Sequence, residues 1–140
     1  MDLIRPAVVA VVTWFVAGFL AGMLYGFATI SSPTMSTPAR FIWAIALQLA
    51  VGLITAGAAA LAHGRPRRAD IRRHAMASAG FVAVLAVVSA IGNLVSATSV
   101  LTTVVALVPQ LVGGVLGWLL VSRVVRRSEW RETAAHGAYY

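Results

Sequence analysis

The sequence contains no cysteine and no lysine, and only four of its 140 residues are acidic. The absence of cysteine excludes disulfide frameworks, CxxC redox pairs, thiolate nucleophiles and cysteine-ligated metal sites. Charged residues make up 11% of the chain, whereas 60% is hydrophobic and the mean hydropathy is +0.88. Soluble domains carry about 25% charged residues. The composition therefore predicts an integral membrane protein and excludes a disordered chain.

Long runs without formal charge predict four transmembrane helices, since a helix needs about 20 apolar residues to cross the hydrocarbon core. The predicted spans cover residues 7–30, 41–63, 75–96 and 100–122. The last two come from one charge-free stretch that is long enough for two crossings, and we place its reversal at Ser96 to Ser99, where short polar residues favour a turn. The remaining segments are a proline-bearing outer loop over 31–40, a basic inner loop over 64–74 and an inner tail over 123–140. The predicted fold is a single all-α membrane domain, a four-transmembrane-helix bundle.

The arginines predict the orientation of this bundle. All eleven basic residues are arginine, and only Arg40 lies in the predicted outer loop. Because cytoplasmic loops carry an excess of basic residues, both termini are predicted to be cytoplasmic. Arginine codons are rich in G and C whereas lysine codons are not, so the exclusive use of arginine suggests a GC-rich genome. We therefore expect the location to be a bacterial cytoplasmic membrane. The clusters expected to set topology and to meet lipid headgroups are Arg65, Arg67, Arg68, Arg72, Arg73, Arg126 and Arg127. Their position beside apolar runs favours membrane lipids as partners and argues against nucleic acid.

Small residues spaced four apart predict the surfaces through which the helices pack, because such residues let two helix backbones approach closely in lipid. The candidate packing residues are Gly18, Gly22 and Gly26 in the first span, Gly52 in the second, and Gly113 and Gly117 in the fourth. Three uses remain open: packing of the chain's own bundle, formation of a homo-oligomer, and docking against other membrane protein subunits.

The predicted spans contain no Asp, Glu, Lys or Arg, which argues against proton-coupled transport because proton relays normally use an ionisable group inside the membrane. The embedded amides are Gln48, Asn93 and Gln110, and Pro109 precedes the last of these. One hypothesis is a polar funnel that descends from the outer side toward Pro109 and Gln110. The alternative is that the amides form hydrogen bonds between helices.

The sequence predicts no cofactor, no metal site and no enzymatic activity. His63 and His74 flank the basic loop, but no cysteine or intramembrane carboxylate accompanies them to complete a metal or haem site. No candidate nucleophile has a nearby base and acid in a predicted span.

A short similarity relates the second and fourth spans. The pattern Gln48-Leu49-x-x-Gly52 recurs as Gln110-Leu111-x-x-Gly114. Duplication of a two-helix hairpin would explain it, and so would chance in a chain so rich in alanine and valine.

Two functions are consistent with these features. The first is a non-catalytic membrane protein that acts as an accessory or assembly subunit of a larger membrane complex. The second is a small oligomeric transporter or channel whose outward polar funnel binds a neutral or weakly polar solute.

Overall fold

The computed structural model describes residues 4–63, 75–96 and 99–137, with side chains through Val125. The regular structure of these residues is helical, which confirms the all-α prediction. The elements in chain order are α1 (Ile4–Ser31), α2 (Thr37–Ala62), a π-helical turn (Met76–Gly80), α3 (Phe81–Val95) and α4 (Val100–Gly137).

Four helical segments are long and apolar enough to cross a membrane: Ile4–Ser31, Thr37–Ala62, Met76–Val95 and Val100–Val125. The shortest has 20 residues, which corresponds to about 30 Å at 1.5 Å per residue and equals the usual hydrocarbon thickness. The prediction of four apolar helices is therefore confirmed.

Short polar residues and proline determine where α2 and α4 begin. Ser36 is the N-cap of α2, and a proline occupies the first turn, where its missing N–H group costs no helical hydrogen bond. At α4 the backbone N–H of Thr102 donates to Ser99 Oγ at 3.2 Å, which satisfies one of the otherwise unpaired groups of the first turn. Ala97 and Thr98, in the middle of the predicted reversal, lie outside the described residues.

Two features differ from the sequence expectation. Residues 76–80 form a π-helical turn that brings Ala77 and Ser78 into the interior, whereas the apolar pattern predicts a plain α-helix there. Uninterrupted apolar residues do not distinguish a π turn from an α turn. In addition, α4 continues through the predicted tail as far as Gly137. That segment contains no proline, and its first glycine is the residue at which the helix ends, as expected from helix propensities.

The most extensive contact in the bundle joins α2 and α4, which run in the same direction. Gly113 faces the backbone of Leu49, and one turn further along Gly117 faces the backbone of Leu53. A Cβ atom added to Gly113 or Gly117 would overlap the carbonyl oxygen opposite, and one added to Gly52 would overlap the carbonyl oxygen of Gln110. The two backbones therefore touch directly, and the glycine Hα atoms point at carbonyl oxygens, the geometry of Cα–H···O contacts.

Helix α2 is the centre of the bundle. Helix α1 packs mainly on α2, and α3 packs mainly on α4, with the side chain of Val82 in contact with the Gly114 position. No comparable contact joins α1 to α4 among the described residues. Helix α1 is consequently the least buried of the four, and a gap separates it from α4.

The glycine contacts predict a large effect of single methyl groups. Gly113→Ala should lower the free energy of unfolding by about 1–3 kcal/mol, because a methyl group must displace a backbone carbonyl rather than a flexible side chain. The same change at Gly22, where no described atom lies within 4 Å of an added Cβ, should leave it unchanged or raise it by up to about 1 kcal/mol. Reversible unfolding of the purified variants in mixed micelles measures both values. Equal stability of the two variants would contradict the backbone contact.

Candidate binding cleft

A cleft opens between α1, α2 and α4 at the end of the bundle that carries the α1–α2 loop. Its upper part has a volume of about 240 Å³ and its lower part about 290 Å³. The two parts share the lining residues Tyr25, Ala44, Thr102 and Val105, so they form one continuous depression, here called the loop-end cleft. Its existence follows from the packing, because α1 and α4 both pack on α2 but not on each other.

Small residues form the lower walls of the loop-end cleft. Gly18, Ala21 and Gly22 line it from α1, and Ala106 lines it from α4. Neither Gly18 nor Gly22 has a described atom within 4 Å of an added Cβ. The α1 wall is therefore a smooth backbone surface that is open to an occupant.

A few polar groups interrupt this apolar lining. Tyr25, Thr102 and Thr37 line the upper part, and Gln48 lines the lower part. Arg40 lies at the mouth, where its Nη2 donates to the carbonyl oxygen of Pro33 at 3.5 Å. Eight helical residues, or about 12 Å, separate Arg40 from Gln48 along α2. The cleft thus changes from a charged mouth to a nearly apolar floor with one amide.

The three predicted amides do not share this cleft. Gln48 lines it, but Asn93 and Gln110 line neither of its two parts. Asn93 is half-buried on α3, whereas Gln110 is 2% exposed and lies within the α2–α4 contact, where its backbone faces Gly52. The two described parts of the cleft therefore do not include Gln110, whose backbone meets Gly52 in the α2–α4 contact.

Gln110 is also not seen to bond another helix. Among the described residues its Nε2 has no hydrogen-bond partner, and the same is true of Thr55 Oγ1, Trp118 Nε1 and Ser122 Oγ. Leaving a buried polar group unpaired costs about 1–3 kcal/mol. By contrast, Thr29 and Thr103 donate their hydroxyl hydrogens to carbonyl oxygens of their own helices, at 2.9–3.0 and 3.2 Å.

Pro109 is buried inside α4, and the helix continues through it. Because proline has no N–H group, the carbonyl oxygen four residues earlier, at Val105, receives no helical hydrogen bond from it. Val105 lines both parts of the loop-end cleft. Pro109 therefore leaves the carbonyl oxygen of Val105 without this helical hydrogen bond, and Val105 belongs to the lining of the cleft.

The six predicted packing glycines fall into two groups. Gly52, Gly113 and Gly117 lie in the α2–α4 contact, whereas Gly18, Gly22 and Gly26 have no described atom within 4 Å of an added Cβ. The α1 glycines therefore make no close contact with the described residues of the chain. We call them the α1 ridge.

The predicted arginine clusters cannot be placed. Arg65, Arg67, Arg68, Arg72 and Arg73 lie outside the described residues, as do the side chains of Arg126 and Arg127. His74 is outside as well, but His63 is 1% exposed at the end of α2, where the sequence suggests the edge of an aqueous loop. Within the described ranges no three His, Cys, Asp or Glu side chains are grouped so as to hold a metal ion.

A second groove lies between α1 and α2 and has a volume of about 430 Å³. Its lining is aliphatic except for Thr13, so it offers little to recognise a polar ligand. The sequence does not show that Tyr25, Arg40 and Thr102 line one cleft, because they belong to three different helices. The feature of the sequence that could have identified Arg40 as part of a site is that it is the single charged residue between Arg5 and Arg65.

The chain matches no known protein-family profile, no curated protein sequence and no solved structure. The fold therefore defines the class of protein, which is an all-helical protein with four helices long and apolar enough to cross a membrane.

Replacement of Gln110 tests whether its buried amide stabilises or destabilises the bundle. Gln110→Leu should raise the free energy of unfolding by about 1–2 kcal/mol, because it removes a buried group without a partner and keeps a similar volume. Gln48→Leu, in the open cleft, should change it by less than about 0.5 kcal/mol. Unfolding in mixed micelles measures both. A clear loss of stability in Gln110→Leu would instead support a hydrogen bond between helices.

Proposed function

We propose that the chain is a non-catalytic integral membrane protein that serves as an accessory or assembly subunit of a larger membrane complex. The single observation that carries this proposal is the α1 ridge. It has the residue spacing of a close helix contact, and its three glycines face open space. A transmembrane helix of a partner protein is the occupant that suits such a ridge.

The proposed setting is a bacterial cytoplasmic membrane with both termini in the cytoplasm. The four apolar helices support insertion, and the ratio of ten arginines to one supports the orientation. The loop-end cleft then opens toward the outer leaflet, and the basic segments meet anionic headgroups on the inner side.

Contacts inside the bundle support the choice of a helix as partner. Where α4 presents glycines at 113 and 117, a second helix approaches until the two backbones touch. The α1 ridge repeats this spacing, and no described residue lies within 4 Å of a Cβ added to its glycines. We take a different membrane subunit as the occupant, and pairing of the ridge with a second copy is the alternative outcome of the crosslinking test.

The chemistry of the predicted spans supports a non-catalytic role. They contain no carboxylate, lysine, arginine or cysteine, so general acid–base and nucleophilic catalysis within the membrane would have to rely on weakly reactive hydroxyls and on His63, which is the last residue of the second span.

A crosslinking experiment tests this function. A photoreactive residue at Met23, which is exposed beside the ridge, should crosslink in native membranes to one other membrane protein. Gly22→Leu should abolish the crosslink because a large side chain prevents close approach of the helices. Gly92→Leu is the matched control, as Gly92 is also exposed on a helix with no described atom within 4 Å of an added Cβ. Crosslinks only to a second copy, or a yield that Gly22→Leu leaves unchanged, would contradict the proposal.

A second candidate is a small oligomeric transporter or channel for a neutral or weakly polar solute. The observation that favours it is the loop-end cleft, in which Tyr25 and Thr102 line both parts and Gln48 lines the lower part. In this candidate function the solute would meet Gln48, which lines the cleft, whereas Gln110 lines neither of its two parts.

The absence of native cysteine allows a direct test of water access to this cleft. Gln48→Cys and Thr102→Cys should react with a membrane-impermeant cationic methanethiosulfonate added outside, because a hydrated thiol ionises and a thiol in hydrocarbon does not. Phe15→Cys, on an exposed part of α1 outside the cleft, should react at least about tenfold more slowly. Equal rates at positions 15 and 48 would rule out an aqueous path along the cleft.

A further inference from the structure

The loop-end cleft combines a single cation at its mouth with a nearly apolar floor. Arg40 and Thr37 line the upper part, and Gly18, Gly22 and Ala106 line the lower part. We propose that this cleft binds one phospholipid with an anionic headgroup. The phosphate lies at Arg40, and one acyl chain lies along the glycine wall of α1.

Charge complementarity identifies the headgroup. Arg40 is exposed, and its described hydrogen bond to Pro33 uses one of five guanidinium N–H donors. The four acidic residues are at positions 2, 70, 129 and 132, so no carboxylate lies in α1, in the α1–α2 loop or in α2 to neutralise it. A phosphate accepts hydrogen bonds from a guanidinium in a favourable geometry, and the hydroxyls of Thr37 and Tyr25 line the same part of the cleft.

The lining of the lower part of the cleft indicates that an acyl chain of the lipid binds there. Its α1 wall has no side chain at Gly18 or Gly22, and its α2 wall presents Ala44 and Leu47. A methylene chain gains apolar contact there and needs no hydrogen bonds. The distance of about 12 Å along α2 from Arg40 to Gln48 lets a chain descend from a headgroup at the bundle's end into its apolar part. A fully polar solute would leave this floor without complementary contacts.

This inference rests on the cleft and on the proposed insertion of the chain into a membrane, but not on a partner subunit. Gly18 and Gly22 belong both to the α1 ridge and to the wall of the cleft, so an acyl chain and a closely packed partner helix would compete for this surface. Arg40 is not part of the ridge, and a variant at Arg40 therefore separates lipid binding from helix docking.

The test is native mass spectrometry of the full chain in detergent, titrated with phosphatidylglycerol or phosphatidylcholine of identical acyl chains. The wild-type protein should bind one phosphatidylglycerol at least about fivefold more tightly than phosphatidylcholine, because the quaternary ammonium of phosphatidylcholine opposes the attraction of Arg40 for the phosphate that both lipids carry. Arg40→Gln should remove this preference. Arg5→Gln, an exposed arginine at the other end of the bundle, should retain it.

Substitutions that fill the lower part of the cleft test whether an acyl chain binds there. Gly22→Leu should weaken binding of the first phosphatidylglycerol, whereas Gly92→Leu should bind it as the wild type does. Ala44→Leu is a second filling variant should Gly22→Leu fail to fold. Equal affinity for the two lipids, or retention of the preference in Arg40→Gln, overturns the headgroup assignment. If Arg40→Gln loses binding but both filling variants bind as the wild type does, no acyl chain occupies the lower part of the cleft. The lipid would then be held only by attraction of its headgroup to the protein surface.

Discussion

Direct contact between the backbones of α2 and α4 is the constraint on which the other features of this bundle depend. Glycines at 52, 113 and 117 remove the side chains that would hold the two helices apart, and carbonyl oxygens occupy the positions where Cβ atoms would be. Such a contact tolerates no sliding, because a shift by one residue would bring a side chain against a backbone. It therefore fixes the register of the two helices and decides which polar residues are enclosed and which are open.

The cleft is a consequence of that contact. When α4 lies this close to one side of α2, α1 packs on another side and does not reach α4. Gln48 is one turn from Gly52 and opens into the gap, while Gln110 is enclosed by the contact itself. Two amides at nearly the same depth thus have opposite environments. One is accessible to a ligand and the other is a buried group without a hydrogen-bond partner in the described residues.

Much of this architecture is predictable from the sequence, and the limits have physical causes. Charge-free runs predict the four helices because length and hydropathy are local properties. Glycine spacing predicts that Gly22 and Gly113 can each allow a close approach, but it does not predict that, among the described residues, Gly113 meets another backbone and Gly22 does not. That outcome depends on which helix faces which. The funnel prediction joined Gln48 and Gln110 in one descending path because the depth of each amide can be counted along its helix, whereas the side of the helix that becomes enclosed is decided by packing. The π turn at Met76–Gly80 leaves no comparable trace in an apolar run.

The similarity between the second and fourth spans can be judged against the packing. Gln48-Leu49-x-x-Gly52 and Gln110-Leu111-x-x-Gly114 lie on the two helices that touch, and these run in parallel, as a duplicated hairpin with a two-fold axis along the bundle would require. Such an axis would also make the contacts reciprocal. Gly52 faces the carbonyl of Gln110, so Gly114 should face that of Gln48. Instead, an added Cβ at Gly114 would lie 2.9 Å from Val82 Cγ1 of α3. The two motifs therefore occupy non-equivalent positions, and the match in sequence does not extend to a two-fold contact.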